Sequence, residues 1–254
     1  MNTEAMLALV KKLPGHVGFY AEDTVTGEQA AWQPQLPVEA ASVIKIMVMA
    51  EAFRQKEAGL LDFEAPVTIL PEHKKPSCGA LTYLHDGLTV QIRDLVTLMI
   101  IVSDNTATNL LIDLLGIDRI NEMINSLGLT GTCVRRKLFM PELARTGVKN
   151  YVCAGDMARV MKLLMTGRIV SEEASAEMLH ILGDQRLNGK MPFFLHSRGI
   201  KCAHKTGEDD RLTHDVGVIF AEHPVIFCFV SEFTDVPAAE RTLQDLAAMA
   251  AGIL

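Results

Sequence analysis

Nothing in the 254 residues is long and apolar enough to cross a bilayer. The longest apolar runs, Val96–Val102 (broken by Thr97) and Ile46–Ala50, fall far short of the roughly 20 residues a spanning helix needs. The N-terminus, Met1-Asn2-Thr3-Glu4, has no basic stretch, no apolar stretch and no small-residue cleavage site. As it stands the chain is therefore expected to be cytoplasmic, and periplasmic or secreted if a leader has been removed. There is no CxxC pair and no Cys/His cluster, so no zinc or other metal site is expected. GxxxxGK[ST], a GxGxxG after a strand and HExxH are also missing, so no nucleotide or cofactor is implied. Internal repeats, low-complexity tracts and long like-charge runs are absent as well.

What is present is an ordinary globular composition, 49% hydrophobic and 22% charged, with a net charge of −7. An acidic surface argues against nucleic acid or an anionic membrane as the main partner. The five cysteines, Cys78, Cys133, Cys153, Cys202 and Cys228, are odd in number and widely spaced, as expected of free thiols in a reducing compartment. The mean hydropathy of +0.20 is high for a chain without a membrane span. It implies helices buried on every side.

Periodicity predicts a helix over residues 3–13, ended by Pro14-Gly15, and strands over 17–22 and 29–32. After a linker at 33–37, helical patterns dominate from Ser42 to about Gly189. Strands are expected at 200–205, 214–221 and 225–233, and a closing helix at 238–254. The order reads as an α+β fold: one antiparallel sheet of about five strands, terminal helices on it, and an inserted all-helical lobe. The expected lobes are residues 1–41 with 196–254, and 42–195, with a cleft between them.

Three short motifs carry candidate chemistry. The first is Ser42-Val43-Ile44-Lys45, at the start of a helix read over 43–58 that is apolar on all sides in its first half. A lysine buried there must be paired or lose its proton. Ser42 lies one turn earlier on the same face, a nucleophile beside a possible base. The alternative is a plain N-cap serine with an outward-snorkelling lysine. The second motif, Ser103-Asp104-Asn105, is a polar connector between two apolar helices and equally a helix cap. The third, Lys205-Thr206-Gly207, ends a strand and leads into Glu208-Asp209-Asp210. Its bland reading is an edge-strand lysine before a turn.

Each motif alone is unremarkable. All three in this order arise by chance on the order of one time in ten thousand. With separations of 61 and 102 residues, they resemble the three motifs of class A β-lactamases and penicillin-binding proteins. The order of helices and strands is similar as well, so the resemblance covers nearly the whole chain. It implies a β-lactamase/transpeptidase-like serine hydrolase acting on a small-molecule acyl substrate, a β-lactam or a relative. It says nothing of oligomeric state.

By the resemblance, Ser42 attacks an acyl carbonyl, and Lys45 is the base or a part of the proton relay. Ser103 relays a proton to the leaving nitrogen, and Asn105 binds the substrate's side-chain amide. Lys205 and Thr206 hold the substrate carboxylate, and Gly207 admits the substrate close to the strand. The backbone N–H groups of Ser42 and Glu208 form the oxyanion hole. One departure stands out. The family's Glu-x-x-Leu-Asn loop, whose Glu activates the deacylating water, is matched here by Met140-Pro141-Glu142-Leu143-Ala144. Methionine replaces that Glu and Ala144 replaces the Asn, so weak turnover is expected. Glu142 is a tentative substitute, against the alternative of a solvent-facing carboxylate. Arg211 and His214 are candidates for the carboxylate pocket, a surface role being the alternative, and His204 is expected to pack on the other face of its strand. Two rival functions remain: an esterase or amide hydrolase on the same scaffold, and a non-turnover penicillin trap.

Overall fold

The computed structural model describes residues 1–254, apart from the side chains of Pro141 and Ala144. The chain runs α1 (Thr3–Val10), β1 (His16–Asp23), β2 (Gln29–Trp32), β3 (Val38–Glu39), a 3₁₀ turn (Ala41–Ile44), α2 (Lys45–Glu57), β4 (Pro66–Thr68), β5 (Thr89–Gln91), α3 (Ile92–Ile101), α4 (Asn105–Leu115) and α5 (Ile117–Ser126). It continues through α6 (Pro141–Arg145), β6 (Tyr151–Val152), α7 (Ala154–Met165), α8 (Glu172–Gly183), β7 (Lys201–Asp209), β8 (Leu212–Phe220), β9 (Pro224–Glu232) and α9 (Val236–Ala250).

The expected antiparallel sheet is there, five strands in the order β2-β1-β9-β8-β7. Both its faces are covered. Phe19, Phe227 and Phe229 pack with Met6, Val10, Leu243 and Leu246 of the two terminal helices. The alternate residues Ile226, Cys228 and Val230 face the helical core instead, as the two-residue period of a strand requires. This double burial explains the high hydropathy at least as well as helices do. β8 and β9 are each buried at every position but one, so strands as well as helices read as apolar runs. Among the described residues no helix is long and apolar enough to cross a membrane.

Three sequence expectations shift. The helix predicted over 3–13 stops at Val10, its N-terminus capped by Asn2. The helix predicted over 43–58 is a 3₁₀ turn carrying Ser42, followed by α2 beginning at Lys45. Lys205-Thr206-Gly207 does not end a strand, because β7 runs on to Asp209 and includes Glu208. The two-residue pair β3–β6 was not foreseen. It joins Glu39 to Tyr151 and ties the segment before Ser42 to the segment after the α6 loop.

Candidate active site

The turn that carries Ser42 opens at Ala41, whose φ is +41°, and it packs against β7. Ser42 is half-buried and lines a cavity of about 540 Å³. Asn105 and Glu208 line the same cavity, with Leu138, Phe139 and Met140 from the loop and Glu39, Arg136 and Asn150 at the loop's base.

Lys45 is fully buried, so it does not snorkel. Its ammonium donates to Ser103 O (2.8 Å), Ser103 Oγ (2.9 Å) and Asn105 Oδ1 (2.9 Å). Those three bonds use all its hydrogens. Ser42 Oγ is not among its partners, so the link between nucleophile and lysine drawn from helical spacing is not a hydrogen bond in this arrangement. Lys205 is also fully buried. It donates to Ser103 Oγ (3.2 Å) and Thr206 O (2.9 Å). One hydroxyl oxygen therefore lies between two lysines. Burial, then the charge of Lys205, holds Lys45 well below the ordinary lysine range. Burial pushes Lys205 down to about 7. Both amines therefore give up a proton more readily than an exposed lysine, and Ser103, donor and acceptor at once, can carry a proton between them.

Ser103 adopts φ +55°, a left-handed conformation that costs a non-glycine residue about 1–3 kcal/mol. Its neighbour Asp104 holds it there. Asp104 Oδ1 caps α4 by accepting from Ala107 N (2.9 Å), and Oδ2 accepts from Ala80 N and Leu81 N (2.7 and 2.8 Å). The cap reading thus holds for Asp104, while Ser103 and Asn105, on either side of it, accept from Lys45. Asn105 Nδ2 donates to Pro76 O (3.3 Å).

On β7, Thr206 is buried. A Cβ at Gly207 would meet His214 Cδ2 at 2.8 Å, so this position is glycine first because of its neighbour strand. The surface role considered for His214 is wrong: the side chain is fully buried. Arg211 sits in the exposed β8 approach turn at φ +56°, over the Phe233 ring, and is not in the cavity lining. His204 packs as expected, 2.7 Å from buried Asp215. Glu142 is exposed on α6 and is also not part of the cavity lining. Ala144, matched to the loop's Asn, has a side chain outside those described.

Sequence reasoning missed Lys190. It is buried, and its ammonium donates to Gly207 O (3.0 Å) and pairs with Glu208 (3.0 Å) and, more loosely, with Glu240 (3.5 Å). A single lysine before the apolar run Met191-Pro192-Phe193-Phe194 was the available signal. The loop itself is pinched at its base. Asn150 Oδ1 accepts from Arg135 N and Arg136 N, while Asn150 Nδ2 donates to Arg136 O. Arg136 pairs with Glu39 (3.2 Å), and Lys149 bridges Glu39 and Glu232 (2.8 and 3.0 Å). Among the described residues no cluster of metal-ligating side chains occurs.

A crystallised β-lactamase from Sphaerobacter thermophilus is 30% identical, with 99% of this chain and 97% of that one aligned and a TM-score of 0.89. PBP-A is similar in fold at 24% identity, covering 98% of this chain and 94% of its own, with a TM-score of 0.88. A reconstructed ancestral class A β-lactamase aligns at 21% identity over 99% of both chains, with a TM-score of 0.87. The sequence model of the beta-lactamase enzyme family matches residues 2–254. With both the fold and the whole-length match in agreement, the chain belongs to the beta-lactamase enzyme family, as a serine β-lactamase-like hydrolase.

Proposed function

We propose that the protein opens β-lactams through an acyl-enzyme on Ser42 and releases the product slowly. The observation that carries this reading is the Ser103 hydroxyl held between two buried lysines beside the Ser42 cavity. Neutral Lys45 accepts the Ser42 proton as Oγ bonds to the lactam carbonyl carbon. The backbone N–H groups of Ser42 and Glu208 receive the developing oxyanion. As the C–N bond breaks, Ser103 hands its proton to the lactam nitrogen and takes one from a lysine. Lys205 and Thr206 supply the charge and hydrogen bonds for the substrate carboxylate. An acyl-enzyme with penicillin G is the species captured in a mutant of PBP-A.

Hydrolysis of the ester then needs a base for water. Met140 has no proton-accepting group of that strength, and its place in the cavity lining favours a long-lived adduct. This is the observation on the side of the trap reading.

The test is a chromogenic cephalosporin with turnover and intact mass followed together. The expected result is a stoichiometric adduct and slow turnover, both lost in Ser42→Ala. An adduct with no turnover supports the trap. No adduct, with cleavage of simple esters, supports the esterase. Activity unchanged in Ser42→Ala overturns all three.

A further inference from the structure

The β8–β9 ladder pairs Leu212 with Glu232 and Asp215 with Phe229, and skips the two positions between. The skipped residues are Thr213 and His214. At this gap Ser231 N donates to His214 Nδ1 (3.1 Å) and Ser231 Oγ donates to Thr213 O (2.8 Å). The His214 ring thus stands in for part of the ladder. Its other nitrogen, Nε2, lies 2.8 Å from Glu39 O. A carbonyl can only accept and an amide N–H can only donate, so the ring is the neutral Nε2–H tautomer. Burial agrees, pushing the imidazole down to about 4.

Two partners of this ring matter for the reaction. Glu39 lies three residues before Ser42, and β3, the strand it ends, leads straight into the turn that carries Ser42. Gly207 immediately precedes Glu208, and it has room for the ring only because it lacks a Cβ. One imidazole therefore spans the two segments whose backbone N–H groups form the proposed oxyanion hole. We propose that His214 is a positioning residue for acylation, its Nε2–H bond to Glu39 O and its contact with Gly207 setting the separation of the Ser42 and Glu208 amides. This rests on the acyl-enzyme reading above. A displacement of about 1 Å in such a site costs on the order of 10²-fold in rate, as does the loss of one oxyanion donor.

Two substitutions separate positioning from plain stability. Glutamine places an amide nitrogen near the position of Nε2 and keeps the donor to Glu39 O. Asparagine places its oxygen near Nδ1 and keeps only the acceptor for Ser231 N. Each loses one buried hydrogen bond, so thermal midpoints of the two should agree within a few degrees. Acylation should not agree. The adduct-formation rate with the chromogenic cephalosporin is expected to stay within about 5-fold of wild type in His214→Gln and to fall about 10²-fold in His214→Asn, with the dissociation constant of the pre-covalent complex, read from the saturation of that rate, little changed in both. Wild-type acylation in His214→Asn, or equal losses in the two variants, overturns the proposal. A fluorophosphonate that labels Ser42 serves as a second probe, because it needs the same oxyanion hole and no lactam. If wild type reacts with it and not with the cephalosporin, the lactam reading falls and the same Gln/Asn contrast still decides the role of His214. A wild-type Ser42 inert to both overturns both.

Discussion

At the scale of single residues, the site is organised by buried cations that lack full counter-charges. Lys45 and Lys205 share the oxygen of Ser103; burial lowers the pKa of both, and the charge of Lys205 lowers that of Lys45 further. The two roles asked of them pull in opposite directions. Lys45 must be neutral to accept the Ser42 proton, whereas Lys205 must be charged to attract a carboxylate. Since Lys205 is held at about 7, its charge fades as pH rises through that value. Binding of a carboxylate-bearing lactam is therefore expected to weaken above neutral pH, while acylation, and with it kcat/KM, falls as pH drops and Lys45 takes up its proton. Lys205→Arg keeps its charge at any accessible pH. It should move the alkaline limb of the kcat/KM profile up by more than about 2 units, which initial rates from pH 5 to 10 will show. An unmoved limb would assign that titration to another group. Lys45, Ser103, Asn105 and Lys205 were legible in the sequence because their spacing is characteristic. Lys190 and the role of His214 were not, because a lone cation and a lone histidine carry no spacing signal. What places them is packing between segments distant in sequence: Lys190 reaches Gly207 O and Glu208, and His214 reaches Glu39 O and Ser231 N.

At the scale of elements, short connectors do what regular helices and strands alone would not. The reading of 43–58 as one helix placed Ser42 and Lys45 on one face. It missed that a 3₁₀ turn comes first and that the Lys45 ammonium is fully engaged by the connector between α3 and α4. That connector depends on Asp104. Its carboxylate accepts three backbone N–H groups from two segments, and Gly79 lies so close that a Cβ there would overlap it. Asp104→Ala strands those donors in a buried place and removes the support for the left-handed Ser103. A loss of about 3 kcal/mol is expected in urea unfolding, from three bonds to a charged acceptor at about 1 kcal/mol or more each. Acylation should fall with it even well below the unfolding transition. Asp104→Asn, which keeps one accepting oxygen, should lose clearly less of both.

At the scale of the whole molecule, the nucleophile and its lysines rest on structure buried from both sides, while the group that would finish the reaction belongs to the exposed α6 loop. Sequence order made the sheet and the helical insertion visible. The loop's anchorage was not visible, because Asn150, Arg136, Glu39 and Lys149 meet only after β3 and β6 pair. That anchorage fixes both ends of the loop and brings Met140 to the same cavity as Ser42. A carboxylate at position 140 would therefore enter a site already shaped for the acyl group, needing no rebuilding of the loop. Met140→Glu is expected to shorten the lifetime of the Ser42 adduct by about 10²-fold or more, the usual contribution of a positioned general base. The rate of adduct formation should change little, since the acylating groups lie elsewhere. Partial burial of the new charge should lower the thermal midpoint by a few degrees. Met140→Gln supplies similar size and polarity without a proton acceptor of comparable strength, and should leave the adduct within several-fold of wild type. Intact-mass decay of the adduct measures all three proteins. If glutamate and glutamine behave alike, the loop's register against Ser42 is not the one that makes position 140 the site of the missing base.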